Sequence, residues 1–347
     1  MPDAPRPQNT DNSKGTDRPA AADTPTRTDS VRSLDANVIR QRLSSANPVH
    51  ERRLALIDLR DNTTGDPEFD AALLYNRIEA DPNSQIRADT ASIYAHRVGT
   101  DANQRFDRLT KRIQISHKTP MEDLASVRRT FAREAMAIKG VSFDRKAEVL
   151  DRLCRYNKPD AVSEAIDAGK ALLNDSSNPL DERRALLDKL VRSPQVNTRV
   201  VAVQLAGTMT ELGTDNLVEL LRIALADGTA RISDSDKSTL PTSASPMVAI
   251  KATEVIVDCA ALSDSDKLDL LQSGIGERER DVSLHRARAA LAVATGKALD
   301  FVIGRVDLAR ERDPAVRAEA RRWLAEQTGL TPATARILAD YVDRVDQ

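Results

Sequence analysis

Apolar residues recur along this chain at helical rather than strand spacing. Leu217, Leu220, Leu221 and Ala224 fall on one face of a 3.6-residue helix, as do Val248, Ala252, Val255 and Ile256. Period-two alternation with β-branched clusters is essentially absent. The pattern resolves into about seventeen amphipathic helices, most of roughly ten to eighteen residues, joined by short loops. Many begin with proline behind a polar residue: Asn47-Pro48, Asp66-Pro67, Asp81-Pro82, Asn178-Pro179, Ser193-Pro194, Ser245-Pro246, Asp313-Pro314 and Thr331-Pro332. Proline suits the first helical position because that N–H has no intrahelical acceptor, and the residue before it can cap the next amides. An all-α fold is expected.

Two stretches fall outside the helical pattern. Residues 1–30 contain no Val, Ile, Leu, Phe, Tyr or Trp and are rich in Pro, Thr, Asp, Asn and Ser, so they cannot bury enough surface to offset their ordering entropy. Residues 1–33 are therefore expected to form a disordered tail, with the helical region spanning 34–347. Inside that region, 227–244 is a polar stretch with Gly228, Pro241 and several Ser and Asp residues. Structureless loops above about 15 residues are uncommon in compact arrays unless functional or disordered, so it is a candidate contact element.

Internal repetition carries more information. Arg278-Glu279-Arg280-Asp281 returns 32 residues later as Arg310-Glu311-Arg312-Asp313, and the helices that follow end in Thr295-Gly296 and Thr328-Gly329, 33 residues apart. The glycines are expected to close those helices with positive φ. Ser193-Pro194-Gln195-Val196 returns as Ser245-Pro246-Met247-Val248 at an offset of 52, one period plus the polar stretch. Asn47-Pro48 with Glu51-Arg52-Arg53 is echoed by Asn178-Pro179 with Glu182-Arg183-Arg184 at an offset of 131. Together these argue for duplicated helix pairs of about 33 residues, which must stack to bury their apolar stripes.

The run Asp313-Pro314-Ala315-Val316-Arg317-Ala318-Glu319-Ala320, continuing to Trp323-Leu324, resembles the second-helix signature of HEAT-like, armadillo-type repeats. The likeness is specific in about a third of the chain and architectural elsewhere. It implies a right-handed α–α superhelix whose second helices line a concave face. Members of that family mostly act as scaffolds for extended partners.

Composition narrows the function classes. The 51 basic and 53 acidic residues leave a net charge of -2, so no global field draws the chain to nucleic acid or anionic membrane. Aromatics make up 3% of residues. No apolar run approaches the ~20 residues of a membrane span and no secretory h-region precedes the helices, so a cytoplasmic location is expected. Cys154 and Cys259 stand far apart without a CxxC pattern and are expected to be two buried thiols. His50, His96, His117 and His285 lack metal-ligand spacing.

Neither a nucleophile motif nor a phosphate loop is present, so no enzyme and no cofactor is expected. Ser233-Asp234-Ser235-Asp236 and Ser263-Asp264-Ser265-Asp266 lack the glycine and twelfth-position carboxylate of a calcium loop; Ser263 reads instead as a helix cap. Trp323 lies on the apolar stripe of its helix and is expected in the core.

Paired arginines are scattered along the helices, and Arg52, Arg183, Arg286, Arg288 and Arg322 are the candidate ligand-face residues. The competing reading pairs one arginine per repeat with a neighbouring repeat's acid as a structural ladder. The leading expectation is a non-catalytic scaffold for a protein partner. A DNA-binding or repair helical-repeat protein and a chromophore-lyase-like repeat protein are the alternatives; the charge pattern of the concave face discriminates nucleic-acid from protein binding, and bilin binding tests the lyase reading.

Overall fold

The computed structural model describes residues 33–99, 101–118, 124–156, 159–227, 245–273, 275 and 280–344. The expected tail, except Ser33, and the polar stretch, except Asp227, lie outside them. The described residues form seventeen α-helices. The first nine are α1 (Ala36–Arg42), α2 (Val49–Asp61), α3 (Pro67–Ala80), α4 (Ser84–Arg97), α5 (Ala102–Lys118), α6 (Ala125–Ala137), α7 (Phe143–Cys154), α8 (Pro159–Leu173) and α9 (Leu180–Val191). There follow α10 (Val196–Ala206), α11 (Thr214–Ala226), α12 (Pro246–Asp258), α13 (Asp264–Gln272), α14 (Arg280–Thr295), α15 (Leu299–Leu308), α16 (Pro314–Ala325) and α17 (Pro332–Asp343). A single-turn 3-10 helix, Thr210–Leu212, precedes α11. Extended pairing among the described residues is limited to one isolated bridge, Ser33 to Thr63.

Local chemistry sets the helix ends. Asp66, Asp313 and Thr331 cap amides of α3, α16 and α17, each with proline in the first turn; Pro246 also opens α12, but the Ser245 side chain makes no capping bond there. Four expected starts differ. Pro48 and Pro179 sit one residue before their helices, and α4 and α10 begin at Ser84 and Val196, two residues after Pro82 and Pro194. At two of these junctions the asparagine side chain turns backwards: Asn47 donates to the Gln41 carbonyl at 2.8 Å and Asn178 to the Leu172 carbonyl at 2.9 Å. Those carbonyls end the preceding helices, so Asn serves a C-terminus instead of the N-terminus that follows.

Two other local expectations hold. Ser263 and Asp266 form a reciprocal capping box on α13. Gly296 has φ 61°, with Gly296 N–H donating to Val293 and Lys297 N–H to Ala292. That is a Schellman closure, which needs a left-handed residue. Gly329 has φ 87°.

The helices stack in two rows. In one row α2 packs on α4, and each even-numbered helix packs on the next as far as α14. Each odd-numbered helix through α15 packs on the even one that follows it, and α7, α9, α11 and α13 touch in succession as the second row. The echo at offset 52 joins α10 and α12, which are direct neighbours in the even row. The echo at offset 131 joins α2 with α9, which stand in different rows, so it reflects recurring junction chemistry and not repeat register. At the C-terminal end α14 packs on α15 and α17, while α16, which carries the HEAT-like signature, packs on α15 and buries only Ala320.

One apolar cluster runs without a break from Ile39 to Ala290, and two smaller ones lie among α14 to α17. Such continuity follows from helices that cannot bury a stripe alone. Among the described residues no helix is long and apolar enough to cross a membrane.

Within the even row, α8 and α10 come together over Gly169, where a Cβ would lie 2.8 Å from Leu205 Cδ2. Leu205 is fully buried and has little room to yield. Gly169→Ala should therefore lower stability by about 1–3 kcal/mol in a urea titration, despite alanine's better helix propensity. Gly304→Ala, in open space on α15, should raise stability by roughly 0.5–1 kcal/mol. Equal, favourable shifts for both variants would show that α8 and α10 do not meet at Gly169.

Candidate interaction face

Arg52, Arg87, Arg128, Arg183 and Arg199 each occupy the fourth position of their helices. A long side chain there leans toward the helix N-terminus, back across the junction with the preceding helix. Arg87 donates to the Asp81 carbonyl at 2.7 Å, Arg183 to the Leu173 carbonyl at 2.8 Å and Arg199 to the Ser193 carbonyl at 2.7 Å. These carbonyls lie at or just past the C-termini of α3, α8 and α9, where acceptors lack intrahelical partners and the helix dipole favours a cation.

Carboxylates complete most of the junctions. Arg52 binds Asp81 at 2.7 Å, Arg128 binds Glu164 at 2.7 Å and Arg199 binds Asp227 at 2.7 Å, with all six side chains buried. Arg183 pairs with Glu211. Burial pushes the Asp227 carboxyl upward, opposed by its hydrogen bond from Arg199.

Arg286, on α14, follows the same logic without a carboxylate among its hydrogen-bond partners. It donates to the carbonyls of Leu270 at 2.9 Å, Leu271 at 3.1 Å and Ser273, which close α13. Burial brings its guanidinium down to about 10, so it remains charged at neutral pH.

The five candidate ligand arginines thus separate. Arg52, Arg183 and Arg286 are 3% exposed, with their guanidinium groups engaged inside the stack. Arg288 pairs with Asp307 and lies 4.8 Å from the centre of the Tyr341 ring. Arg322 is exposed on α16 and has no side-chain partner among the described residues. The recurring signal in the sequence is an arginine at the fourth position of α2, α4, α6, α9 and α10, visible only once the helix starts are known.

The outward side of the even row alternates in charge. Arg53 of α2 meets Asp89 of α4 at 3.5 Å, His96 of α4 faces Glu134 of α6 at 3.9 Å, and Arg129 of α6 meets Asp167 of α8 at 2.6 Å. Further along, Lys251 pairs with Glu254 within α12 at 2.6 Å. Exposed pairs of this kind contribute about 0–1 kcal/mol each, so their main effect is to cancel charge along the face.

Between α8, α10 and α12 the face opens into a cleft of about 380 Å³. Its apolar side chains are Ile166, Val255 and Cys259, and Lys170, Glu254 and Asp258 also line it. At the α2 end Leu54 and Ile57 are 53% and 39% exposed.

Both cysteines are buried free thiols, and burial raises Cys154 to about 12, far from a reactive thiolate. Trp323 is partly buried against the C-terminal cluster, edge-on to Phe301 at 6.0 Å. Among the described residues no group of three or more His, Cys, Asp or Glu is placed to hold a metal ion.

Arg128→Met should cost about 3–5 kcal/mol in chemical denaturation, because it strands the buried Glu164 carboxylate. Arg128→Met with Glu164→Leu should recover most of that loss; a double variant as unstable as the single one would show that the stranded Glu164 carboxylate is not the source of the cost. His285, on α14, is pushed below its ordinary 6.5 chiefly by burial, with Arg288 and Lys251 acting the same way and Glu254 opposing. The unfolded chain then binds the proton more readily than the folded one. Stability should fall as pH drops below 6.5, and His285→Gln should flatten that slope in melts at pH 7 and pH 5. Comparison with known proteins finds neither a family model nor a curated protein that matches this chain.

Proposed function

We propose that the protein is a non-catalytic interaction scaffold, a right-handed α–α superhelix of HEAT-like helix pairs that holds a protein partner along its even-numbered row. The observation that carries this reading is the charge-balanced face: opposite charges alternate from helix to helix, and apolar side chains open between them in the α8–α10–α12 cleft and on α2. A duplex-binding surface instead needs a continuous positive track along the phosphates. A mixed rim around apolar patches is the usual anatomy of a protein interface.

The superhelix reading rests on the helix-on-helix stacking of the even row and on the cap, proline and Arg317 of α16. Within the arginine set, Arg322 is open to a partner, Arg288 is mostly covered and paired with Asp307, and Arg52, Arg183 and Arg286 support the stack from inside.

The test is capture from a native lysate at low salt, using wild type and a variant carrying Arg129→Glu and Lys170→Glu. A partner held by the wild type and lost by the variant, with unchanged helicity, is the expected outcome. Failure of the wild type to capture any protein would remove the reading. Tight duplex binding at about 50 mM salt that weakens steeply by about 200 mM would replace it with nucleic-acid recognition.

A further inference from the structure

The odd-numbered row is continuous from α7 to α13, but α3 and α5 stand on either side of a cleft of about 560 Å³ floored by Tyr94 of α4. The α5 wall presents Arg108, Lys111 and Arg112; the α3 wall presents Glu68, Tyr75 and small side chains such as Ala71. Two contacts span the gap. Arg108 reaches Glu68 at 3.6 Å, and the Arg112 guanidinium lies 3.5 Å from the centre of the Tyr75 ring.

The clamp arginines elsewhere in this chain close on a carboxylate or on helix-end carbonyls. This group does so only in part: Arg108 meets one exposed carboxylate and Arg112 meets a ring. Lys111 is exposed and has no ion-pair partner among the described residues, and Glu68, 80% exposed, is the one carboxylate in the lining. Three like charges at spacings of three and four residues on one helix face repel each other, a cost that one ion pair to an exposed carboxylate and one ring contact offset only in part.

We propose that this cleft binds a small phosphorylated compound, its phosphoryl group on Arg108, Lys111 and Arg112 and its flat organic part against the Tyr75–Tyr94 wall. Charge matching selects the ligand class. Three cations and one carboxylate leave two net positive charges, which complement a phosphomonoester at about -1.5 to -2 and exceed the need of a monocarboxylate.

Size selects a small molecule, since the volume lies within the roughly 300–1,000 Å³ of small-ligand sites. The ring wall is held in place: the Tyr75 hydroxyl donates to Glu79, and the Tyr75 and Tyr94 rings lie 6.0 Å apart. Burial keeps the Tyr75 phenol up at about 12, so that donor is protonated at neutral pH. The cleft lies away from the even-row face, so its occupancy does not depend on the scaffold reading.

The test is isothermal titration of the full chain with phenyl phosphate, benzoate, inorganic phosphate and hexaglutamate. Phenyl phosphate should bind at least about tenfold more tightly than benzoate, as charge-assisted hydrogen bonds to the second anionic charge require. The variant carrying Arg108→Gln and Lys111→Gln, both at exposed positions, should weaken phenyl phosphate at least about tenfold with an unchanged circular dichroism spectrum. Tyr75→Leu should weaken phenyl phosphate more than inorganic phosphate, which loses only the ring contact that positions Arg112.

No heat with phenyl phosphate at about 10 mM would overturn the proposal. Equal binding by wild type and the double variant, or tighter binding of hexaglutamate, would do so as well. Loss of lysate capture by the Arg129→Glu and Lys170→Glu variant with phenyl phosphate binding intact separates the two sites.

Discussion

A guanidinium group withdrawn from water at the junction between two helices is the constraint on which this stack depends. An ion so placed is tolerated only where its donors find acceptors, and here each one finds the open carbonyls of a helix end, a carboxylate, or both. The planar fork of arginine suits that task, because it can address a carbonyl and a carboxylate at once from fixed angles. Lysine, a compact and strongly hydrated point charge, would leave part of the constellation unsatisfied. The angle between successive helices is thereby tied to the directions of a few hydrogen bonds as well as to apolar contact, which is adaptable by comparison.

Charge in this molecule has two separate uses. Inside, isolated arginines hold junctions together; outside, the even row carries opposite signs in alternation and presents little field to a distant polyanion. The α3–α5 cleft departs from both arrangements, since its three cations share a single exposed carboxylate, Glu68, and none closes on helix-end carbonyls among the described residues. Such local departures from an otherwise regular scheme are where function is best sought, because natural sequences breach their own rules at sites of use.

Much of the architecture is legible in the sequence. Helical periodicity locates the elements, Thr295-Gly296 announces its closure, and Ser263 with Asp266 announces a cap, since each of these depends only on neighbours within a few residues. The Asn-Pro junctions mislead for a related reason. Asn47 and Asn178 answer the same local need at the end of the preceding helix, so the motif recurs wherever that need arises and says nothing about which row a helix joins. The arginines were less legible still. Whether Arg52 faces solvent or the interior depends on Asp81, on the next helix, and on a crossing geometry that spacing within one helix does not encode. The cleft is invisible to sequence reasoning, because it arises from α3 and α5 standing apart.

The reach of the clamps along the chain has a bearing on how the molecule is made. Arg52 finds its acid 29 residues ahead, Arg199 28 residues ahead and Arg128 36 residues ahead, each within the helices immediately downstream. No clamp waits for a distant part of the polypeptide. As the chain leaves the ribosome, each arginine junction can close once the next one or two helices have emerged, so these junctions can form as a wave along the chain with little loop-closure entropy. Among the described residues only α17, which returns to α14 and to Gln272, closes over a longer stretch. A fault in one junction would then stall that wave locally, leaving what lies upstream already built.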